Sequence, residues 1–183
     1  MGVLCSKARM TPPSSRRQPK VPTKISDIPE AWANWFTGLC DGEASFNAHP
    51  DWRRHTCVVP YFAICMQQDD DLLHSIEKQL GVGTVSPRIA KGGRHAGSSW
   101  VVNATDELAF ICDFFDAFSL RSKKQLEFQH WRVLVTDYQT RARPFAEVLA
   151  HALALSELFQ RRKGQSKSFQ NRARAFLIAQ NQP

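Results

Sequence analysis

The repeat of apolar positions changes twice within the first half of the chain. Residues 29–41 follow a helical repeat, and residues 45–54 and 57–67 then alternate apolar with polar side chains. Alternation of this kind is typical of strands, here joined by a polar turn. Residues 69–80 return to the helical repeat, with three acids at the start and Gly81 as the predicted C-cap. The first half therefore predicts helix, strand, strand, helix.

The second half repeats this order and then continues with helices. Residues 82–89 and 99–104 read as strands, and a helix with a phenylalanine-rich face begins at Thr105. Lys123 and Lys124 open a long helix, and a further one follows over residues 144–159. The order αββαββα with C-terminal helices predicts the α+β class. Its four strands form two hairpins in an antiparallel sheet that carries helices on one face.

The length of 183 residues, with 43% hydrophobic residues, suits one domain of ordinary size. We expect a disordered basic arm over residues 1–24, a folded domain over 25–160 and a basic tail over 161–183. The chain has no apolar run of membrane-spanning length and no secretory signal pattern. Five scattered cysteines suit a reducing compartment. We therefore expect a cytoplasmic or organellar protein that is not secreted and has no membrane partner.

The distribution of charge favours contact with a polyanion. The net charge is +7, and residues 1–24 and 161–183 each carry six basic residues and no acid. Within the core, the acids fall on helices, whereas the basic residues fall in strands or hairpin loops: Arg53, Arg54, Arg88, Lys91 and Arg94. A sheet face that helices leave open fits the DNA major groove as a twisted ribbon. The alternative is a solvated face that binds nothing.

If the open face binds DNA, its side chains are expected to do two jobs. Basic residues in the turns contact phosphates, and the affinity they give falls with salt. Strand residues reach base edges and supply specificity. The candidates for base contacts are Asn47, His49, Tyr61, Ser86, Arg88 and Asn103.

The stretch WFTGLCDGEASF, residues 35–46, places two acids where the first helix should end. Carboxylates are disfavoured at a helix C-terminus by about 0.3–1 kcal/mol each. One explanation is that Asp41 and Glu43 are exposed, solvated charges. The other explanation is that a cation binds beside them.

The same helix carries the features of a helix–helix contact. Gly38 and Gly42 lie one turn apart, which permits close approach of a second helix, and Trp35 and Leu39 add apolar surface. If the partner is the same helix of a second copy, two Glu43 carboxylates converge and repel each other. A divalent cation between them removes this repulsion, with the Gly42 carbonyl as a further oxygen ligand.

This stretch resembles the nine-residue motif of the LAGLIDADG homing endonuclease family over residues 36–44. Further blocks in the family's order extend the resemblance over about residues 28–138. They are Ser45-Phe46 directly after the motif, Tyr61 to Ile64, Asp70 to Leu73, Leu80 to Val85 and Phe118 to Lys124. Two departures are Thr37, which is larger than the usual alanine and is expected to loosen the helix pair, and Ala44 in place of glycine.

The resemblance implies the αββαββα fold with a saddle of antiparallel strands on DNA. It also implies double-strand cleavage that depends on Mg²⁺ or Mn²⁺, with no organic cofactor. Because only one motif copy is present, the resemblance implies a homodimer that binds a long pseudo-palindromic target. Since no intein splicing ends are recognisable, we expect a free-standing protein encoded within an intron. Glu43 and Gly42 match the metal-binding positions. Lys123 matches the family's catalytic lysine, with Lys124 as second choice. Gln67 matches the polar residue that the family has near the end of the second strand, although strict alignment places Met66 at that position.

Two other functions stay open at this point. The same fold can serve an RNA-splicing maturase or a transcription regulator that binds nucleic acid without cleaving it. A domain that binds no nucleic acid and merely dimerises through Gly38 and Gly42 is the other alternative.

Overall fold

The computed structural model describes residues 21–89, 96–158 and 165–180. After a short 3-10 helix, Ile25–Asp27, the helices and strands follow the predicted order. They are α1 Glu30–Glu43, β1 Ala44–Pro50, β2 Val58–Met66, α2 Asp70–Leu80, β3 Thr84–Arg88, β4 Gly97–Val102, α3 Thr105–Ala117, α4 Lys124–Thr140, α5 Phe145–Leu158 and α6 Gln165–Gln180. The α+β class and the antiparallel sheet are thereby confirmed. No helix within the described ranges is long and apolar enough to cross a membrane.

The four strands form one antiparallel sheet in the order β1-β2-β4-β3. Phe46 lies opposite Phe62, and Trp100 lies opposite both Ile64 and Val85. Since side chains alternate along a strand, this register puts all five on the same face. The helices cover that face and leave the other one open.

The covered face is built from aromatic side chains. Phe46 packs against Phe62, Phe115 and Trp131, with ring centroids 5.2 to 5.7 Å apart. Each buried indole N–H also has a partner: Trp131 Nε1 donates to the Asn47 carbonyl and Trp100 Nε1 to the Val82 carbonyl, both at 2.9 Å. The first bond fixes β1 against α4, and the second fixes β4 to the loop between α2 and β3.

Most element boundaries differ from the sequence prediction by one or two residues, and two of the differences have a visible cause. Helix α1 runs to Glu43 because the Ala44 N–H still donates to the Cys40 carbonyl. Strand β1 ends at Pro50 rather than at residue 54. The Asp51 carboxylate accepts the N–H groups of Arg53 and Arg54, at 3.1 and 3.3 Å, and this turns the chain early.

The segment predicted as a basic tail contains α6, which packs on α5. Ala173 and Gln170 are buried, and Gln170 Nε2 donates to Ser156 Oγ at 3.1 Å. The Arg172 guanidinium lies 4.4 Å from the centre of the Trp52 ring. The folded unit therefore extends past the predicted boundary at residue 160. Most of the predicted N-terminal arm lies outside the described residues.

Candidate functional site

The two acids at the end of α1 have different surroundings. The Asp41 carboxylate accepts the N–H groups of Arg121 and Ser122, at 3.0 and 3.1 Å, and the Ser122 hydroxyl at 2.7 Å. Ser122 Oγ in turn accepts the N–H of Lys124 at 3.1 Å. Asp41 therefore ties the end of α1 to the start of α4, which explains one of the two acids by structure.

These hydrogen bonds also favour the ionised form of Asp41. Partial burial opposes ionisation, but the bonds from Arg121 and Ser122, with the positive charge of Lys124 nearby, hold the pKa of Asp41 below its usual value of 3.8. The stability that Asp41 contributes is thus fully present above pH 3.8. It is lost as the pH falls through the lower pKa of the folded protein.

Asp41→Asn is expected to lower the free energy of unfolding by about 1 kcal/mol at pH 7, because Asn cannot accept all three hydrogen bonds. The difference from the unchanged protein should shrink below pH 3.8. Urea unfolding at pH 7 and at several acidic pH values measures it. Asp113→Asn removes the same charge from an exposed position of α3 and should have little effect. Equal losses in both variants would contradict the linking role of Asp41.

Glu43 is exposed, unlike Asp41, and so is Gly42. Because α1 ends at Glu43, the Gly42 carbonyl has no helical N–H four residues further on. A carboxylate and a free carbonyl oxygen are ligands that Mg²⁺ accepts. However, among the described residues no group of three or more His, Cys, Asp or Glu side chains lies close enough to hold a metal. Within the described part of a single chain, Glu43 and the Gly42 carbonyl are thus candidate oxygen ligands without a cluster of further acidic, histidine or cysteine ligands.

The exposed side of α1 carries a stripe of small and apolar residues that leads to Glu43. It consists of Ala31, Trp35, Gly38 and Gly42, spaced three and four residues apart, and the Trp35 side chain is 44% exposed. Leu39, the other residue predicted at the interface, is half-buried. A Cβ added at Gly38 or Gly42 would meet nothing within 4 Å. Packing within the chain therefore does not require glycine at either position.

Thr37 lies on a different side of α1 from this stripe. Its side chain is buried, and its hydroxyl donates to the Ala33 carbonyl at 2.9 Å and lies 3.5 Å from the Phe118 carbonyl. The expectation that Thr37 loosens a helix pair is wrong, because the residue packs within its own chain.

The two candidate lysines have opposite environments. Lys123 is exposed just before α4, whereas Lys124 is only 2% exposed. Its ammonium group donates to the Ala44 carbonyl and, at 2.9 Å, to a carboxylate oxygen of Glu127. This buried pair was not predicted from the sequence, although the spacing of Lys124 and Glu127 by three residues on a predicted helix was a visible signal.

The strand β2 ends beside the end of α1. Ala44 pairs with Ile64, so the last residues of β2 and the residues after it lie at the α1 end of the sheet. Met66 is half-buried within β2, and Gln67 is exposed immediately after it. Of the two residues proposed by alignment, Gln67 has the accessible side chain.

The open face of the sheet collects five of the six residues predicted to contact bases. Asn47 pairs with Tyr61 and Ser86 with Ser99, and the His49 ring lies 5.7 Å from that of Tyr61. The described strand residues that share this face include no acid: Ser45, Asn47, His49, Val59, Tyr61, Ala63, Cys65, Thr84, Ser86, Arg88, Gly97, Ser99 and Val101. The described part of this face is therefore neutral to basic.

The remaining predicted contacts lie around this face. Arg53 and Arg54 are exposed in the turn after β1, and Asn103 is exposed just after β4. Lys91 and Arg94 lie outside the described residues. Burial, with a smaller effect of Cys65, raises the pKa of Tyr61, so its hydroxyl stays a neutral hydrogen-bond donor at physiological pH.

Solved structures similar to this chain come in two lengths. The homing endonuclease I-TnaI superposes with a TM-score of 0.64 at 20% identity, over 79% of this chain and 97% of its own. The archaeal intron-encoded homing endonuclease I-Vdi141I, solved in complex with DNA, gives 0.63 at 18% identity, over 81% and 98%. The meganuclease I-SmaMI, bound to DNA, gives 0.61 at 22% identity, and this chain spans about half of its length, 48%.

Sequence comparison assigns the family directly. No curated protein sequence matches this chain. The family profile described as LAGLIDADG endonuclease matches residues 36–135, which is more than half of the 183 residues. The match spans the motif at the end of α1, the whole sheet and the first half of α4, and the chain therefore belongs to the LAGLIDADG endonuclease family.

Proposed function

We propose that this protein is a site-specific DNA endonuclease that cleaves both strands of a long pseudo-palindromic target as a homodimer. The observation that carries the proposal is the exposed stripe on α1, which leads to the exposed Glu43. Two copies related by a two-fold axis would pack Gly38 against Gly38 and bring two Glu43 carboxylates together. One copy alone has no such pair.

In this arrangement, Glu43 and the Gly42 carbonyl of each copy would hold Mg²⁺ or Mn²⁺. When bound, the metal activates water and stabilises the charge that develops on the phosphate during hydrolysis. The chain itself contributes the alignment of these oxygen ligands. Gln67, from the end of β2, would position solvent. Lys123, which is exposed, would place a positive charge near the scissile phosphate.

The lengths of the similar structures support two copies. This chain spans nearly the whole of I-TnaI and I-Vdi141I but only about half of I-SmaMI. A longer chain of that kind has room for two units like the one described here. A second copy would supply the other half.

The open face of the sheet is the proposed DNA surface. It is free of described carboxylates, and its two middle strands carry small side chains, such as Ala63, Cys65 and Ser99, that permit close approach of a duplex. Asn47, His49 and Tyr61 would read base edges from one hairpin, and Ser86 and Arg88 from the other. Arg53 and Arg54 would contact phosphates beyond the end of β1.

Affinity for DNA is expected to fall steeply with salt because phosphate contacts dominate it. If about six phosphates are neutralised, the affinity should drop about 10³-fold between 50 and 200 mM salt. Fluorescence anisotropy with a labelled duplex measures this slope. The double variant Arg53→Gln with Arg54→Gln should have a smaller salt slope. Asn47→Ala should lower the affinity without changing the slope. A salt-independent affinity would speak against this surface.

Selection from a randomised duplex library, with and without Mg²⁺, tests the function itself. Cut DNA that appears only with the metal supports the endonuclease. Recovery of bound but uncut DNA, or of RNA from a parallel library, would instead indicate a regulator or a maturase. If the protein retains neither DNA nor RNA, the remaining alternative is a domain that only dimerises through α1.

A further inference from the structure

Lys124 is the most buried of the charged side chains described, with 2% of its surface exposed. Its ammonium group has two partners: the Ala44 carbonyl and the Glu127 carboxylate, the latter at 2.9 Å. Ala44 is itself buried and directly follows Glu43 in the chain. The buried charge thus acts on the backbone next to the proposed metal-binding residue.

Stability alone does not account for this pair. Removing a lysine and a carboxylate from water is costly, and well-packed apolar residues of the same volume often serve the fold equally well or better. The pair instead fixes a position. The Glu127 carboxylate holds the Lys124 ammonium group in place, and the ammonium group in turn holds the Ala44 carbonyl that it contacts. The negative end of the α1 dipole also favours a cation at this place.

The surroundings of Glu43 are consequently held from both sides. On one side, Asp41 is bonded to the loop before α4 through Arg121 and Ser122. On the other side, the Ala44 N–H donates to the Cys40 carbonyl, and the Ala44 carbonyl accepts from Lys124. The segment between these anchors consists of Gly42 and Glu43, the two proposed metal ligands.

We infer that Lys124, neutralised by Glu127, is a positioning residue that fixes the junction between α1 and β1 and thereby aligns Glu43 and Gly42. It acts through the Ala44 carbonyl and not on the DNA, which distinguishes it from the exposed Lys123. The inference rests on the proposed function, because it assigns the purpose of the alignment to metal binding.

The variant that tests this role replaces the pair as a unit, Lys124→Met with Glu127→Met, so that no lone charge is left buried. Lys123→Met is the matched control for the loss of one lysine. We expect the double variant to fold cooperatively and to bind DNA within about threefold of the unchanged protein. Amide exchange at residues 43–46 should be at least tenfold faster, while exchange in the sheet stays unchanged.

Metal-dependent readouts complete the test. The double variant should need about tenfold more Mg²⁺ for half-maximal single-turnover cleavage and should cleave about 100-fold more slowly, as supporting residues of metal sites do when removed. Mn²⁺ binding, measured by paramagnetic relaxation, should weaken in parallel. Lys123→Met should leave amide exchange and Mn²⁺ affinity unchanged.

The inference is overturned if the double variant shows unchanged exchange at residues 43–46, or if exchange rises there while Mn²⁺ affinity stays the same. A uniform rise in exchange across the sheet would also overturn it, since this would indicate a purely structural pair. If the unchanged protein does not cleave DNA at all, the proposed function fails. The exchange and Mn²⁺ measurements still decide the role of Lys124 in that case.

Discussion

Glu43→Gln is expected to abolish DNA cleavage while leaving DNA binding intact. The substitution keeps the size of the side chain but removes the charge that would hold the metal. Because Glu43 is exposed, the fold should not change. We expect the single-turnover cleavage rate to fall by at least about 10³-fold. Affinity for DNA should stay equal or rise slightly, since one negative charge near the phosphates is lost.

The measurement pairs single-turnover cleavage in Mg²⁺ with binding in Ca²⁺. Glu30→Gln is the matched control, because it removes the same group from an exposed position at the other end of α1. This control should cleave normally. Substantial cleavage by Glu43→Gln would place the reaction elsewhere in the molecule and refute the assignment.

Gly38→Arg is expected to stabilise the single chain and yet eliminate the dimer. A side chain at residue 38 meets nothing within 4 Å in its own chain. Arginine is also a better helix former than glycine by roughly 0.8 kcal/mol, so the free energy of unfolding of the monomer should rise. Across a two-fold axis, however, two arginines would occupy the same space and repel each other. The dimer dissociation constant should increase by about 10³-fold or more, and cleavage should disappear with it.

Sedimentation velocity, urea unfolding and cleavage together test these opposite changes. Ala175→Arg adds the same side chain to an exposed position of α6 and serves as the control. It should leave the dimer and the cleavage rate unchanged. If Gly38→Arg remains dimeric and active, α1 is not the interface.

The helices and strands of this fold follow from repeats of apolar residues within short segments, which is why the sequence predicts them. Alternation along β1 and β2 assigns Phe46 and Phe62 to the core and Asn47 and Tyr61 to the open face, and the observed register agrees. The ends of elements are less local. β1 stops at Pro50 because Asp51 captures two backbone N–H groups, a choice that depends on the conformation of the turn.

The parts of the site that the sequence missed depend on contacts across long chain separations. Asp41 bonds to residues 80 and 81 positions away, and Lys124 reaches Ala44 over 80 positions. Two adjacent lysines look alike in sequence, but they lie about 100° apart around a helix. Only packing decides that Lys124 is buried and Lys123 exposed. The catalytic roles of Glu43, Lys123 and Gln67 stay predictions.

Helix α6 was missed for a related reason. Its segment has no acid and many basic and polar residues, a composition typical of a solvated tail. It is ordered by partners that lie elsewhere in the chain, such as Trp52 against Arg172 and Ser156 against Gln170. Composition does not report these partners.

Because side chains alternate along each strand, the residues that build the core are different from those that form the proposed DNA surface. Each strand devotes every second residue to the aromatic core and the residues between to the open face, so a substitution at Asn47 or Ser86 does not touch the packing around Phe46. The proposed DNA surface can therefore change one position at a time without unfolding the core that supports it. If this surface binds DNA as proposed, a new target sequence requires substitutions only at open-face positions, while the core residues stay the same.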